Sequence, residues 1–157
     1  WDARAVGVSL GLVGVSAAIV QGVLIGPVLR RLGPTNTALV AMGFGVVTLT
    51  SYAFITESWM IYVLIFLGAP MGMAPAAINA IASHRVEASA QGELQGAVSS
   101  ASALGTMASP LVMTQTFSYF SRPGATPFFP GAPFAVAAAV MAIAVIPFLA
   151  GVKRGEG

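Results

Sequence analysis

Residues 5–29 read AVGVSLGLVGVSAAIVQGVLIGPVL, 25 residues in a row without a charge, closed by Arg4 on one side and Arg30 on the other. An α-helix rises 1.5 Å per residue, so about 20 apolar residues cross the roughly 30 Å of hydrocarbon in a bilayer. This stretch is long enough. Outward from it the pattern repeats: 25 uncharged residues lie between Arg31 and Glu57, 27 between Glu57 and Arg85, 28 between Glu93 and Arg122, and 30 between Arg122 and Lys153. No alternation of polar and apolar residues runs through these stretches, so helices rather than barrel strands satisfy the backbone in lipid. The expectation is an all-α, polytopic helical membrane protein, one partial transmembrane domain over residues 1–157. Its five spans fall at about residues 5–29, 37–55, 59–83, 94–119 and 134–150.

Composition agrees. Of 157 residues, 57% are hydrophobic and 8% charged, against roughly 25% charged in an average soluble domain. Twelve charged side chains cannot coat a soluble body of 15.9 kDa, and the mean hydropathy of +0.87 points the same way. Disordered chains have the opposite composition. With no Cys and a single His, His84, there is no thiolate nucleophile and no metal-ligand set. The seven Lys and Arg are scattered, so the pI near 9.5 marks no nucleic-acid patch. All five acids (Asp2, Glu57, Glu87, Glu93, Glu156) fall in expected loops or tails. Intramembrane proteolysis needs paired acids or a Ser with a His at membrane depth, so no enzyme and no cofactor is expected.

The connections are short. Arg30-Arg31-Leu32-Gly33-Pro34 separates the first two spans and Thr56-Glu57-Ser58 the next two; Arg85 to Glu93 is a polar link, and Arg122 to Pro133 is a proline-rich loop. If loops alternate sides, one side collects Arg30, Arg31, Arg85, Lys153 and Arg154, and the other Arg4 and Arg122. The positive-inside rule places the first set in the cytoplasm, with the N-terminus outside and the C-terminus inside. Trp1, Trp59, Tyr119 and Phe120 then fall at membrane interfaces. A chain that opens on Trp1 with an odd number of spans is expected to be part of a longer protein, lacking its N-terminal half.

Small residues recur every four positions: Gly14, Ala18, Gly22 and Gly26 in the first span, Gly68, Gly72, Ala76 and Ala80 in the third, Gly92 and Gly96 at the start of the fourth. Such stripes let helices approach closely in lipid. Together with Pro70, Pro75 and Pro110 they also permit helices to tilt during a transport cycle. Polar groups at membrane depth are few. Gln21, Asn79 and Gln115 are candidates for a watered substrate cavity, because a buried amide is costly unless it pairs or lines one. An interhelical hydrogen bond is the alternative.

The stretch Gln21-Gly22-Val23-Leu24-Ile25-Gly26-Pro27-Val28-Leu29-Arg30-Arg31-Leu32-Gly33 resembles the Q-x-x-x-x-G-P-L-x-x-R-L-G that ends the eighth helix of tetracycline efflux pumps of the major facilitator superfamily. Within it Gly26, Arg30, Arg31 and Gly33 echo the G-x-x-x-[DR]-R-x-G cytoplasmic loop of the superfamily. Gln91-Gly92-Glu93-Leu94-Gln95-Gly96, with Ser109-Pro110-Leu111 beyond, is similar to the Q-G-x-L-Q-G and G-P-L of the eleventh helix. The resemblance covers essentially the whole chain, as helices eight to twelve of twelve.

What the resemblance implies is proton-coupled efflux of a small hydrophobic drug such as tetracycline by alternating access, from the inner membrane of a bacterium. The partners it implies are the drug, protons, the lipid bilayer and an N-terminal half. Gln21 falls on the family's glutamine in the eighth helix, and Asn79 lies near its cavity glutamine in the tenth. One position departs from the pattern: where the tetracycline pumps carry an aspartate in the ninth helix, this chain has Gly45. An essential proton-carrying acid is therefore expected outside these five spans. A non-transporting anchor or assembly subunit, or an exporter of another metabolite, is the competing reading.

Overall fold

The computed structural model describes residues 3–154, the last two by their backbone alone, so Trp1, Asp2, Glu156 and the side chains of Lys153 and Arg154 lie outside what can be compared. The described residues form helices without a β-strand. Helix α1 (Ala3–Ile19) passes through a π-helical turn (Val20–Leu24) into α2 (Ile25–Ala53); α3 (Ser58–Gly68) passes through a 3-10 turn (Ala69–Met73) into α4 (Ala74–His84). A short 3-10 turn (Ala88–Ala90) precedes α5 (Gln91–Ser121), and α6 (Ala132–Arg154) ends the chain.

The arginine-flanked break expected between the first two spans is one residue wide. Gly33, at φ 75° and ψ 164°, is the non-helical position inside α2, and Pro34 restarts the helix, where its missing N–H and fixed φ cost nothing. Side chains stitch across the bend: the Thr37 hydroxyl donates to the Gly33 carbonyl at 2.7 Å and the Asn36 amide to that of Leu32 at 3.0 Å. The chain folds back on itself there, since Val20 and Val28 pack with Ala41 and Met42.

That hairpin carries the core. Val20, Ala41, Met42, Met73 and Ala74 form a buried cluster, covered by Met141, Ala144, Val145 and Phe148 of α6. The contact of α2 with α6 is the most extensive between any two helices. Close approach comes from glycines other than most of the expected ones. A Cβ on Gly68 would lie 2.8 Å from the Thr48 methyl, and one on Gly131 would strike the Ala53 carbonyl. Gly14, Gly22, Gly72, Gly92 and Gly96 have open space beside them, so the stripes of the first span and of α5 are not packing faces here. The packed face of α1 runs instead through Ser16 and Val20.

Among the described residues three segments are long and apolar enough to cross a membrane: 3–53, which at 51 residues can do so twice about Gly33, 58–84 and 132–152. The fourth expected span is not among them. Helix α5 is 31 residues long and carries no buried residue. Two of its threonines turn back onto their own helix, Thr106 donating to the Ser102 carbonyl at 2.9 Å and Thr116 to that of Val112 at 2.7 Å, which removes their need for an outside partner.

At one end of the bundle the Arg85 guanidinium donates to the Gly151 carbonyl at 3.2 Å, tying the end of α4 to the last turns of α6. At the other end the loop 122–131 folds over the end of α2, with the Phe129 N–H donating to the Phe120 carbonyl at 3.0 Å.

Candidate functional site

The two irregular turns meet. The π turn at 20–24 packs against the 3-10 turn at 69–73, and both line one cavity of about 230 Å³ between α1, the second half of α2 and α3. π-Turns and mid-helix 3-10 turns both cluster at functional sites, because they re-aim side chains and free backbone groups. Here the π turn holds Gln21 at the cavity wall. Val13, Leu49, Leu64 and Ile65 make the rest of the wall largely apolar, with Ser16, Thr48 and Tyr52 as its other polar side chains.

Each of these polar groups has a different status. Ser16 is 5% exposed and its hydroxyl donates to the Val13 carbonyl at 3.0 Å. Thr48, 3% exposed, has a buried hydroxyl without a hydrogen-bond partner, although most helical threonines donate one turn back as Thr37 does. Its methyl is wedged against Gly68, which fixes the side chain. Nothing in the sequence sets Thr48 apart from Thr50 or Thr37; only the helix crossing at Gly68 does. Gln21 is exposed and lines the cavity.

Asn79 and Gln115 do not join Gln21. Asn79 is half-buried on α4, seven residues past Gly72 and so about 10 Å further toward the Arg85 end at 1.5 Å per residue. Gln115 is exposed on α5, which takes no part in the cavity. Of the three amides the structure places Gln21 at this cavity, beside Ser16, Thr48 and Tyr52, and Asn79 and Gln115 elsewhere.

The loop-motif residues behave as a turn. Arg30 and Arg31 are exposed, Gly26 leaves room for the Arg30 guanidinium, 4.0 Å from where its Cβ would be, and Gly33 supplies the left-handed bend. In the second motif the residue with a visible task is Gln91. Its amide donates to the Ser83 carbonyl at 2.9 Å and to that of Val86 at 3.4 Å, capping the orphan end of α4 from the first residue of α5. Gly92, Gln95, Gly96 and Pro110 face outward, exposed.

Gly45 is enclosed. A Cβ there would stand 3.0 Å from the Met141 methyl and 3.1 Å from the Met71 sulfur, so the position is a contact between α2, the 3-10 turn and α6, and a carboxylate there would have to displace both methionine side chains. Glu57, Glu87 and Glu93 are exposed. Among the described residues no group of His, Cys, Asp and Glu could hold a metal ion.

The chain is 35% identical over 118 residues to the class G tetracycline resistance protein of Vibrio anguillarum, covering 75% of this chain and 30% of that protein. It is 36% identical over 121 residues to the class E tetracycline resistance protein of Escherichia coli, covering 75% of this chain and 29% of the other. The hippocampus abundant transcript-like protein 1 of Mus musculus is 30% identical over 89 residues, 57% of this chain and 18% of that protein. The chain thus spans about 30% of the length of the tetracycline resistance proteins it matches. No solved structure matches it. The family model of the Major Facilitator Superfamily matches residues 1–156, and with an all-helical, apolar, polytopic membrane architecture behind that match, the chain belongs to the major facilitator superfamily.

Proposed function

We propose that the chain is the part of a drug exporter corresponding to helices eight to twelve, a transporter rather than an enzyme, and that the whole protein expels a small hydrophobic drug such as tetracycline in exchange for protons. The observation that carries this reading is the cavity at the paired irregular turns, apolar with Gln21 and Tyr52 among its lining residues. A pocket of that character suits a hydrophobic ligand with a few hydrogen-bonding groups, and broken helices at membrane depth are where transporters place substrate. The likeness to tetracycline resistance proteins of two bacteria supports the choice of cargo.

In this reading five spans cross a bacterial inner membrane, with Arg30, Arg31 and Arg85 on the cytoplasmic side and the loop 122–131 outside. The bundle alternates access together with an N-terminal half, and Gln21 contributes to selectivity. The proton-carrying acid lies outside these five spans, where Gly45 stands in place of the aspartate of the resembling pumps.

The test is drug uptake into inside-out vesicles that carry the complete transporter. Gln21→Leu is expected to keep expression and melting temperature and to change which drugs are driven by an imposed pH gradient. An unchanged drug profile with a lowered melting temperature assigns Gln21 to packing and overturns its role. Absence of gradient-driven uptake of any drug by the unaltered protein overturns the function.

A further inference from the structure

A second cavity, of about 420 Å³, lies at the end of the bundle away from Arg85, and its walls are of a different kind. Two ring pairs line it. Tyr52 stacks on Phe134 with centroids 5.4 Å apart, and Phe54 tilts against Phe129 at 5.5 Å. The remaining wall is the end of α2 at Ala53 with the residues just after it to Thr56, and Pro130 and Gly131 of the loop. The Phe54 N–H closes onto the Ser51 carbonyl at 3.2 Å, and the neighbouring carbonyls of that last turn keep the partial negative charge of a helix C-terminus. Glu57, exposed, follows Thr56 directly. The loop that brings Phe129 is held by its bond to Phe120 and by the close seat of Gly131 on Ala53.

Ring faces are electronegative, so several of them beside a helix carboxyl end make a site that favours positive charge on an apolar body. The same end already shows this preference, since the Arg122 guanidinium sits 4.7 Å over the Tyr119 ring. Arg122 is thereby engaged outside the cavity, and neither it nor Tyr119 lines the walls. We propose that this cavity binds a hydrophobic organic cation, held among the rings of Tyr52, Phe54, Phe129 and Phe134 and drawn by the carbonyl end of α2. The inference does not rest on the cavity around Gln21. It differs from a membrane-interface aromatic belt, which anchors in the headgroups without discriminating ligand charge.

The experiment is equilibrium dialysis of the purified protein in zwitterionic lipid nanodiscs with tetraphenylphosphonium, and with tetraphenylborate, of the same shape and opposite charge. Saturable binding of the cation is expected, without a saturable component for the anion. Phe54→Leu and Phe129→Leu should each weaken cation binding about ten-fold, while Tyr119→Leu, at the same end but off the cavity, should leave it unchanged. Phe54 is 66% exposed, so its replacement tests the site even if Phe129→Leu fails to fold. No saturable cation binding, equal saturable binding of the anion, or full affinity in Phe54→Leu would each overturn the proposal.

Discussion

The second half of α2 and helix α5 are both long and rich in small residues, yet one has seven buried residues and the other none. Along α2, Thr37, Ala38, Ala41, Met42, Gly45 and Thr48 are buried in succession; along α5 no residue is. A stripe of small residues is therefore a capacity for close approach that a facing helix must use. Gly45 and Gly68 meet Met141, Met71 and Thr48, whereas Gly92, Gly96 and Gly105 meet nothing within 4 Å.

The largest contrast should come from glycine itself. Gly131→Ala puts a Cβ on the Ala53 carbonyl, which is backbone and cannot step aside, and a loss of about 3 kcal/mol is expected. Gly96→Ala should instead hold or raise stability, by at most about 1 kcal/mol from helix propensity. Thermal unfolding followed by circular dichroism in detergent compares the two. A comparable loss in Gly96→Ala would mean that α5 is packed after all.

Next in size is Gly45→Asp. Crowding Met71 and Met141 should cost about 2 kcal/mol, with the desolvation of the carboxyl added to it. Because both obstacles are the free ends of flexible side chains, Met141→Ala in the same chain should recover part of the melting temperature. Full stability of the single variant would show that the ninth-helix acid of the resembling pumps could have been accommodated here.

A smaller effect separates two buried threonines of α2. Thr37→Val removes a hydroxyl bonded to the Gly33 carbonyl and should lose about 1 kcal/mol. Thr48→Val removes a hydroxyl with no partner and should gain about as much. Denaturation midpoints of the pair decide it. Loss in both would mean that Thr48 finds an acceptor in solution.

The smallest expected effect is on coupling. Exchanging Glu57, Glu87 and Glu93 together for Gln alters exposed loop positions, and drug uptake by vesicles carrying the complete transporter should keep its dependence on the pH gradient. Loss of that dependence with substrate still passing downhill would place the proton carrier among them.

Charge spacing made the helices legible, because a charge is expensive in hydrocarbon and so marks helix ends within a few residues. The break at Gly33-Pro34 could be read as well, since each residue type has a backbone reason to be there. Gln91 was readable as part of a motif, although its task, capping α4, requires knowing how near Ser83 comes. The π turn around Gln21 and the 3-10 turn around Met71 left no such mark. They arise where two helices cross, as do the burial of Thr48 and the exclusion of Asn79 and Gln115 from the cavity. Those outcomes depend on the rotation of one helix against another, which a periodic pattern of small and apolar residues leaves undetermined.

The bend at Gly33 has no spare residue, and this constrains how the gene can vary. One inserted amino acid between Leu32 and Thr37 would turn all that follows by about 100° about the helix axis, at 3.6 residues per turn. Thr37, Ala38, Ala41 and Met42 would then swing away from Val20 and α6 together, and their places would fall to residues that now face outward, such as Val40 and Phe44. The loop at 122–131, a stretch of turns and prolines, carries no such phase and can absorb a length change with its ends in place. Insertions and deletions among natural variants of this chain should therefore collect in the proline loop and be absent from the arginine bend, a record in the reading frame of which connection acts as a gear tooth and which as a slack belt.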